Sequence, residues 1–495
     1  MLFNSLHFLV FFPVVVLIFL IIPGKFRSMW LLVSSYYFYM SWNPKYALLM
    51  AFSTVSTYFT GLFLDKVSEK AEEKNEIRYK KLCVAVSFFI NLGILFFFKY
   101  FDFALENVNR VLEALNVTVL EKPFDVLLPV GISFYTFQAL GYTVDVYRGD
   151  IKAEKNLIRY ALFVSFFPQL VAGPIERSEN LLVQIQTIKK RRLWNKERIR
   201  DGLLLMLWGF FQKLMIADRA AIAVNAVYNQ YHAFGGGEII LATLLFAFQI
   251  YCDFDAYTNI ARGAARVCGF ELMANFRQPY FATSIADFWR RWHVSLSSWF
   301  RDYLYIPLGG SRVSAVRNWM NLMLTFLVSG AWHGASWHFI LWGGLHGAYQ
   351  VAGKWKNSLL NRIRTVLGIE KEVCLPKLLQ MAVTFAMVVF AWMLFRVNSL
   401  RDLKEMLLIV VKQPFVKDFA AMNMSKVEWV LLLISLTILM LVDILRSKNI
   451  SVNRLVVNRP AVVRVLFYTA GIGSIVIFGV YGVAYDASQF LYFQF

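Results

Sequence analysis

DFWRRWHVSLSSWFRDYLYIPLGGSR (Asp287–Arg312), then a short apolar span, then SGAWHGASWHFILWGGLHG (Ser329–Gly347), holds four of the six histidines: His293, His333, His338 and His346. On both sides of it the chain is dominated by long apolar runs. Titratable and hydrogen-bonding side chains are costly in a bilayer, so their concentration between such runs marks a functional region.

Hydrophobic residues make up 58% of the 495 positions and charged residues 17%. Soluble domains lie nearer roughly 45–50% and 25%. Apolar runs long enough to span a bilayer recur along the chain, and together they predict an all-α polytopic membrane protein. The expected number is roughly eleven crossing or re-entrant segments. The net charge of +19 would suit a nucleic-acid binder. The basic residues, however, sit in short connecting loops such as Lys189–Arg192, where the positive-inside rule places them. Lipid is therefore the expected environment and nucleic acid is not a partner. Cys83, Cys252, Cys268 and Cys374 are dispersed without a CxxC pair, which reads as small buried hydrophobes.

The first apolar run, residues 1–27, lacks a basic start and a small-residue cleavage site, so it reads as a retained helix. Met29–Trp42, Tyr46–Leu64 and Leu82–Phe98 follow as spans, with Asp65–Lys81 a charged loop between the last two. Asp102–Asp125 reads as a helix lying at the outer surface. Leu128–Asp150 is a polar span, its Ser133, Tyr135, Thr136, Gln138 and Tyr142 either joining helices or lining a wet path. Ala161–Arg177, interrupted by Pro168, Gly173 and Pro174 and flanked by basic loops, reads as re-entrant and implies a cytoplasmic cavity. Gly202–Val227 and Glu238–Cys252 span. Asp253–Phe281 is polar enough to line that cavity, and Gly263–Ala265 permits close helix packing.

Asp287–Tyr303 reads as one amphipathic helix, with Trp289, Trp292, Leu296, Trp299 or Phe300, and Tyr303 on one face. Lys354–Lys377 reads as a basic loop, Leu378–Phe395, Trp429–Leu445 and Val465–Tyr481 as spans, and Asn398–Met424 as an outer connection. One integral-membrane domain over 1–495 is expected: helices at 1–125, a core at 126–350, helices at 378–482 and an extracytoplasmic tail at 483–495.

His333 is the foremost candidate catalyst. Gly330, Ala331, Gly334, Ala335 and Ser336 surround it with small side chains, and an imidazole of ordinary pKa near about 6.5 suits a general base. The competing reading is a buried histidine hydrogen-bonded across helices. His333 and His338 are five apart, about 140° around a helix, and do not share a face. With no HExxH motif, no metal site is expected. GxSxG, P-loop and dinucleotide motifs are also missing. The closing FLYFQF is either an aromatic anchor or a segment that brings Tyr492 into the active cavity.

Four segments together resemble the membrane-bound O-acyltransferase family: LPVGISFYTFQ (Leu128–Gln138), FFPQLVAGPIER (Phe166–Arg177), DFWRRWHVSLSSWFRDYLYIPLGG (Asp287–Gly310) and SGAWHGASW (Ser329–Trp337). The likeness covers most of the chain. It is greatest to the alginate O-acetyltransferase branch and extends to teichoic-acid D-alanyltransferases. The resemblance implies a helical bundle around a tunnel with a cytoplasmic funnel. It implies His333 as the catalytic residue and His293 as the second family histidine, structural or donor-positioning. Trp332, Ser336, Trp292, Asn259 and Arg290 become candidates for lining the tunnel or holding the donor. It also implies acetyl-CoA as donor, or an acyl-carrier protein in the D-alanyl branch, and a separate extracytoplasmic partner of SGNH-hydrolase type. The tail resembles the aromatic motif of a small peptide of D-alanylation systems, which would make Tyr492 an acyl relay.

The expected function is thus transfer of an acyl group, foremost acetyl, from a cytoplasmic thioester across a bacterial cytoplasmic membrane to an envelope polysaccharide. D-alanyl transfer to teichoic acid, a polymer or lipid transporter, and a scaffold for another acyltransferase are the alternatives. Against a transporter, no paired repeats are visible and intramembrane carboxylates are few.

Overall fold

The computed structural model describes residues 1–70, 73–122, 128–191, 194–367 and 376–481. Tyr492, the rest of the tail and Cys374 lie outside the described residues. Every regular element among those described is helical. Six helices are long and apolar enough to cross a membrane, and Leu6–Ile21 is a shorter apolar one. The chain divides into two compact units. One comprises Met1–Met206 with Ile260–Met273, and the other Leu207–Asn259 with Ala274–Phe495.

In the first unit α1 (Leu6–Ile21), α2 (Arg27–Met40), α3 (Pro44–Lys70) and α4 (Glu73–Ala114) follow in order. The expected charged loop at Asp65–Lys81 is largely helix. Lys and Glu are good helix formers, and Glu76–Lys80 closes an i,i+4 ion pair at 2.5 Å. The expected surface helix over Asp102–Asp125 is likewise the continuation of α4 to Ala114. With no Pro or Gly between Phe98 and Ala114, nothing stops the helix at the end of its apolar run.

Next come α5 (Ile132–Arg148), α6 (Leu157–Ser165) and the short α7 (Val183–Gln186). The polar residues of α5 join segments together. Gln138 Nε2 donates to the Phe163 carbonyl at 2.6 Å, and Gln169 Nε2 donates to Gln138 Oε1 at 2.9 Å. The Tyr142 hydroxyl accepts from the Glu154 N–H at 2.9 Å. Residues 166–176 are buried without regular helix, as Pro168, Gly173 and Pro174 dictate. Side chains satisfy part of that backbone: Ser35 Oγ accepts from the Phe167 N–H at 3.0 Å. At Gly263 a methyl group would stand 2.5 Å from the Gly202 carbonyl, so the expected close approach is present.

The second unit begins at Leu207, within α8 (Lys196–Phe211), which gives way to a π-turn at Gln212–Ala217, followed by α9 (Asp218–Asn229) and α10 (Gly236–Val267), whose residues from Ile260 on belong to the first unit. The widened turn lets Lys213 Nζ reach Asp253 at 2.6 Å and Asp218 at 2.8 Å, all buried. Beside it, Gln212 Nε2 donates to Asp255 at 2.9 Å. A π-turn also leaves backbone carbonyls without helical partners. Leu214 O accepts from the Val480 N–H at 3.0 Å, which ties the residues following α19 to this turn.

Then follow α11 (Ile285–Arg291), α12 (Val294–Phe300), α13 (Ala315–His333), α14 (Trp337–Leu367), α15 (Lys377–Arg396), α16 (Leu400–Lys412), α17 (Lys426–Ser447), α18 (Val452–Val457) and α19 (Ala461–Phe478). The expected basic loop at Lys354–Lys377 is the last turns of α14 up to Leu367. Its Asn, Arg and Lys residues continue the helix because no breaker precedes Gly368 after Gly353.

The GGGE sequence at Gly235–Glu238 holds the 413–418 segment. Glu238 Oε1 accepts from the N–H groups of Lys417 (2.5 Å) and Asp418 (2.6 Å), and Oε2 from Gly235 N–H at 3.1 Å. A methyl group on Gly236 would stand 2.7 Å from Val410 Cα. Glu238→Ala leaves three N–H groups without their acceptor. It is expected to cost about 2 kcal/mol, read as a lower Tm in detergent together with new proteolysis between 413 and 418.

Candidate active site

The predicted helix at Asp287–Tyr303 is broken at His293. Helix α11 opens at Ser284, whose Oγ accepts from the Asp287 N–H, so Asp287 sits one turn in. Trp292 leaves helical geometry, and His293 takes the left-handed conformation (φ 43°, ψ 54°) before α12 starts at Val294. Asn275 explains the break. Its carbonyl accepts from Val294 N–H at 2.9 Å and its Oδ1 from Ser295 N–H at 3.2 Å, replacing helical partners. Periodicity alone cannot register a competitor twenty residues away in the chain. A left-handed non-glycine residue is strained, and such strain gathers at functional sites.

His293 is 1% exposed, with the Phe254 ring edge-on at 4.6 Å. Burial, reinforced by the charge of nearby His333, holds its imidazole well below the ordinary histidine range. The two histidines predicted from sequence are thus brought within electrostatic reach of one another.

His333 is the last residue of α13 and is buried. Gly334 is extended, and a methyl group there would run into the Phe339 ring, so glycine is required at this close approach. Gly330 and Gly343 let α13 and α14 meet backbone to backbone, at 3.0–3.1 Å for an added methyl group. That contact brings Trp342 to His333, edge to face at 5.0 Å and 88°, while Phe395 of α15 stands at 5.6 Å on another side. The buried Trp342 indole N–H has no acceptor among the described residues. A buried donor beside the candidate base is chemically available to an incoming oxygen.

The other histidines divide. His346 is fully buried, and its Nδ1 accepts from Trp289 Nε1 at 3.2 Å. His338 is buried against Phe339, ring centroids 4.0 Å apart. Trp292 packs on Trp392 at 4.9 Å, and Trp332 is 6% exposed. Ser336 is half-buried in the turn between α13 and α14, its carbonyl accepting from Ile340 N–H. Asn259 gives its amide to Gln212 Oε1 and Asp255 Oδ2, both at 2.9 Å, so it is a member of the buried polar network. Arg290 is largely exposed and lies 3.5 Å from Asp287, which Arg291 also approaches at 3.1 Å. Burial pushes the Asp287 carboxyl up. Hydrogen bonds from Arg291 and the Thr283 N–H, with both arginine charges, outweigh it and hold the group below the ordinary range.

Sequence reasoning missed Trp342, Phe395 and the Lys213 network. Trp342 lies nine residues beyond His333, and only the turn at Gly334 folds it back. Among the described residues no group of three or more His, Cys, Asp or Glu side chains is placed to hold a metal ion.

The family model described as "MBOAT, membrane-bound O-acyltransferase family" matches residues 33–367. The chain is 36% identical over 405 residues to the "Probable alginate O-acetylase AlgI" of Pseudomonas aeruginosa, covering 81% of this chain and 73% of that protein. It is 34% identical over 407 residues to the peptidoglycan O-acetyltransferase of Helicobacter pylori, covering 77% and 73%. To the teichoic acid D-alanyltransferase of Streptococcus thermophilus it is 29% identical over 283 residues, covering 54% and 68%.

Proposed function

The chain belongs to the membrane-bound O-acyltransferase family, and from that premise we propose that it transfers acetyl from acetyl-CoA to a hydroxyl of a bacterial envelope polysaccharide. It is a multi-pass membrane acyltransferase. The relatives of 34–36% identity that carry printed activities are O-acetylating proteins, which favours acetyl over D-alanyl.

The observation that carries the reading is His333. It is a buried imidazole at a helix end, freed from the helix by Gly334 and framed by Trp342 and Phe395. In the proposed step the imidazole takes the acceptor's hydroxyl proton. The alkoxide oxygen bonds to the thioester carbonyl carbon, and the C–S bond then breaks. The thiolate leaves with the proton returned from the imidazolium, giving an ester and a free thiol. The oxyanion formed on the way needs a preorganised donor, and the Trp342 indole N–H is the group we assign to it. His293 positions this side of the site. Tyr492 is the acceptor in a relay version of the same step, with an extracytoplasmic SGNH-type protein completing delivery to the polymer and the bacterial cytoplasmic membrane as location.

The test is incubation of the purified full-length chain with radiolabelled acetyl-CoA, followed by digestion and mass spectrometry. Label on Tyr492, lost in Tyr492→Phe, is the expected result. If acetyl-CoA is neither bound nor consumed while a D-alanyl carrier protein is, the acetyl reading fails.

A further inference from the structure

The second unit contains a cavity of about 930 Å³ away from His333. Five cations from four segments line it: Arg277, the neighbouring Arg290 and Arg291 of α11, Lys377 and Arg446. The only carboxylate among its lining residues is Asp287, which Arg290 and Arg291 already share. Arg277 is fixed through its backbone, its N–H donating to the Arg291 carbonyl at 2.9 Å and its own carbonyl accepting from Arg291 Nη1 at 3.4 Å. Its guanidinium and the Lys377 ammonium have no ion-pair partner among the described residues. Gln278 beside them takes the left-handed conformation at φ 45°, a strained state in the cavity wall.

Lys377 is the first residue of α15, after Pro376, which offers no side-chain cap. A cation there opposes the positive end of the helix dipole, and an anion seated in the cavity would reverse that repulsion. Much of the remaining wall is apolar, with Phe248, Met381, Phe385, Met440 and Ile444. The apolar residues come partly from α15 and α17, of whose apolar windows only 39% and 28% are buried. A phosphate with an apolar tail is the chemistry that fits a cavity lined by both cations and partly open apolar helix faces.

The thioester donor does not suit the place. Tyr280 of the cavity wall is followed inward by Trp292 at 6.3 Å, Trp392 at a further 4.9 Å and Trp342 at 5.8 Å, before His333. These three indoles are at most 3% exposed and form a packed layer. An acyl group held in the cavity is separated from the imidazole by that layer.

We propose that this cavity binds an anionic glycerophospholipid, its phosphate between Arg277, Lys377 and Arg446 and its chains along α15 and α17. Basic pockets at the ends of membrane helices recognise such headgroups, each cation contributing to affinity. The proposal does not rest on the role given to His333.

Native mass spectrometry of the full-length chain, with phosphatidylglycerol or phosphatidylcholine of identical acyl chains, reads it directly. Phosphatidylglycerol is expected to bind in clear excess. Arg277→Gln and Lys377→Gln should each lower its occupancy roughly fivefold, with phosphatidylcholine unchanged, whereas Arg277→Lys and Lys377→Arg should retain it. Lys377→Gln, at an exposed helix end, serves if the Arg277 variant does not fold. Equal binding of the two lipids, or no loss in the glutamine variants, overturns the proposal. So does displacement of phosphatidylglycerol by added coenzyme A, which would assign the cavity to the donor's phosphates.

Discussion

Replacing His333 by alanine is expected to lower the rate of acyl transfer by about 10²–10⁴-fold, the range that a positioned general base supplies. Km for the thioester should stay near the wild-type value, because the imidazole acts on the acceptor hydroxyl and not on the donor's binding contacts. The ring also packs against Trp342 and Phe395, so alanine removes contacts as well as chemistry. His333→Gln keeps much of the volume without the base and should lose transfer equally. Both variants should elute as wild type in detergent. Transfer above a tenth of the wild-type rate in either one would remove His333 from the mechanism. His346→Gln, by contrast, touches a ring already engaged by Trp289, and its effect should appear first in stability.

The second large effect belongs to Lys213. Its ammonium lies between Asp253 and Asp218 at 2.6 and 2.8 Å, and all three side chains are at most 8% exposed. Lys213→Met is close to isosteric yet strands two carboxylates without their cation. Breaking a buried ion pair from one side costs about 3–5 kcal/mol. The expected result is a much lower Tm in detergent or failure to accumulate in the membrane. Adding Asp253→Asn to Lys213→Met should recover part of the loss, since the charge left behind causes most of it. If the single variant melts with wild type, the network is not the support described. If the double variant is worse than the single, the loss comes from packing and not from charge.

The π-turn at Gln212–Ala217 illustrates why such a network escapes a linear reading. Gly202–Val227 has the composition of one apolar span, and nothing local marks where an extra residue enters the turn. The decision is made by Asp253 and Asp255, some forty residues on, which hold Lys213 and Gln212 in place. The break at His293 follows the same logic, with Asn275 as the distant competitor. Asn259 shows the converse. Its polarity in an apolar run suggested a lining role, and its amide is spent on Gln212 and Asp255.

Three helix boundaries differ from the linear reading for a local reason. Charged residues at Asp65–Lys81 and Lys354–Leu367 read as loops, and those at Asp102–Ala114 as a separate surface helix, because they leave the apolar phase. Burial and helicity are separate properties. A sequence free of Pro and Gly keeps its i to i−4 hydrogen bonds in water as well as in lipid.

By itself the sequence determined the helical membrane class, the family and the histidine to be tested. Long apolar runs admit one backbone solution in a bilayer, and the four motif segments are specific enough to be read without coordinates. Tertiary structure alone decided which ring faces His333, where α11 yields to α12, which polar residues pair in the interior, and that five cations from four segments line one cavity whose remaining wall is largely apolar. Each of these depends on groups far apart in the chain, whose meeting is set by helix packing at glycines such as Gly330 and Gly343 and not by any local period.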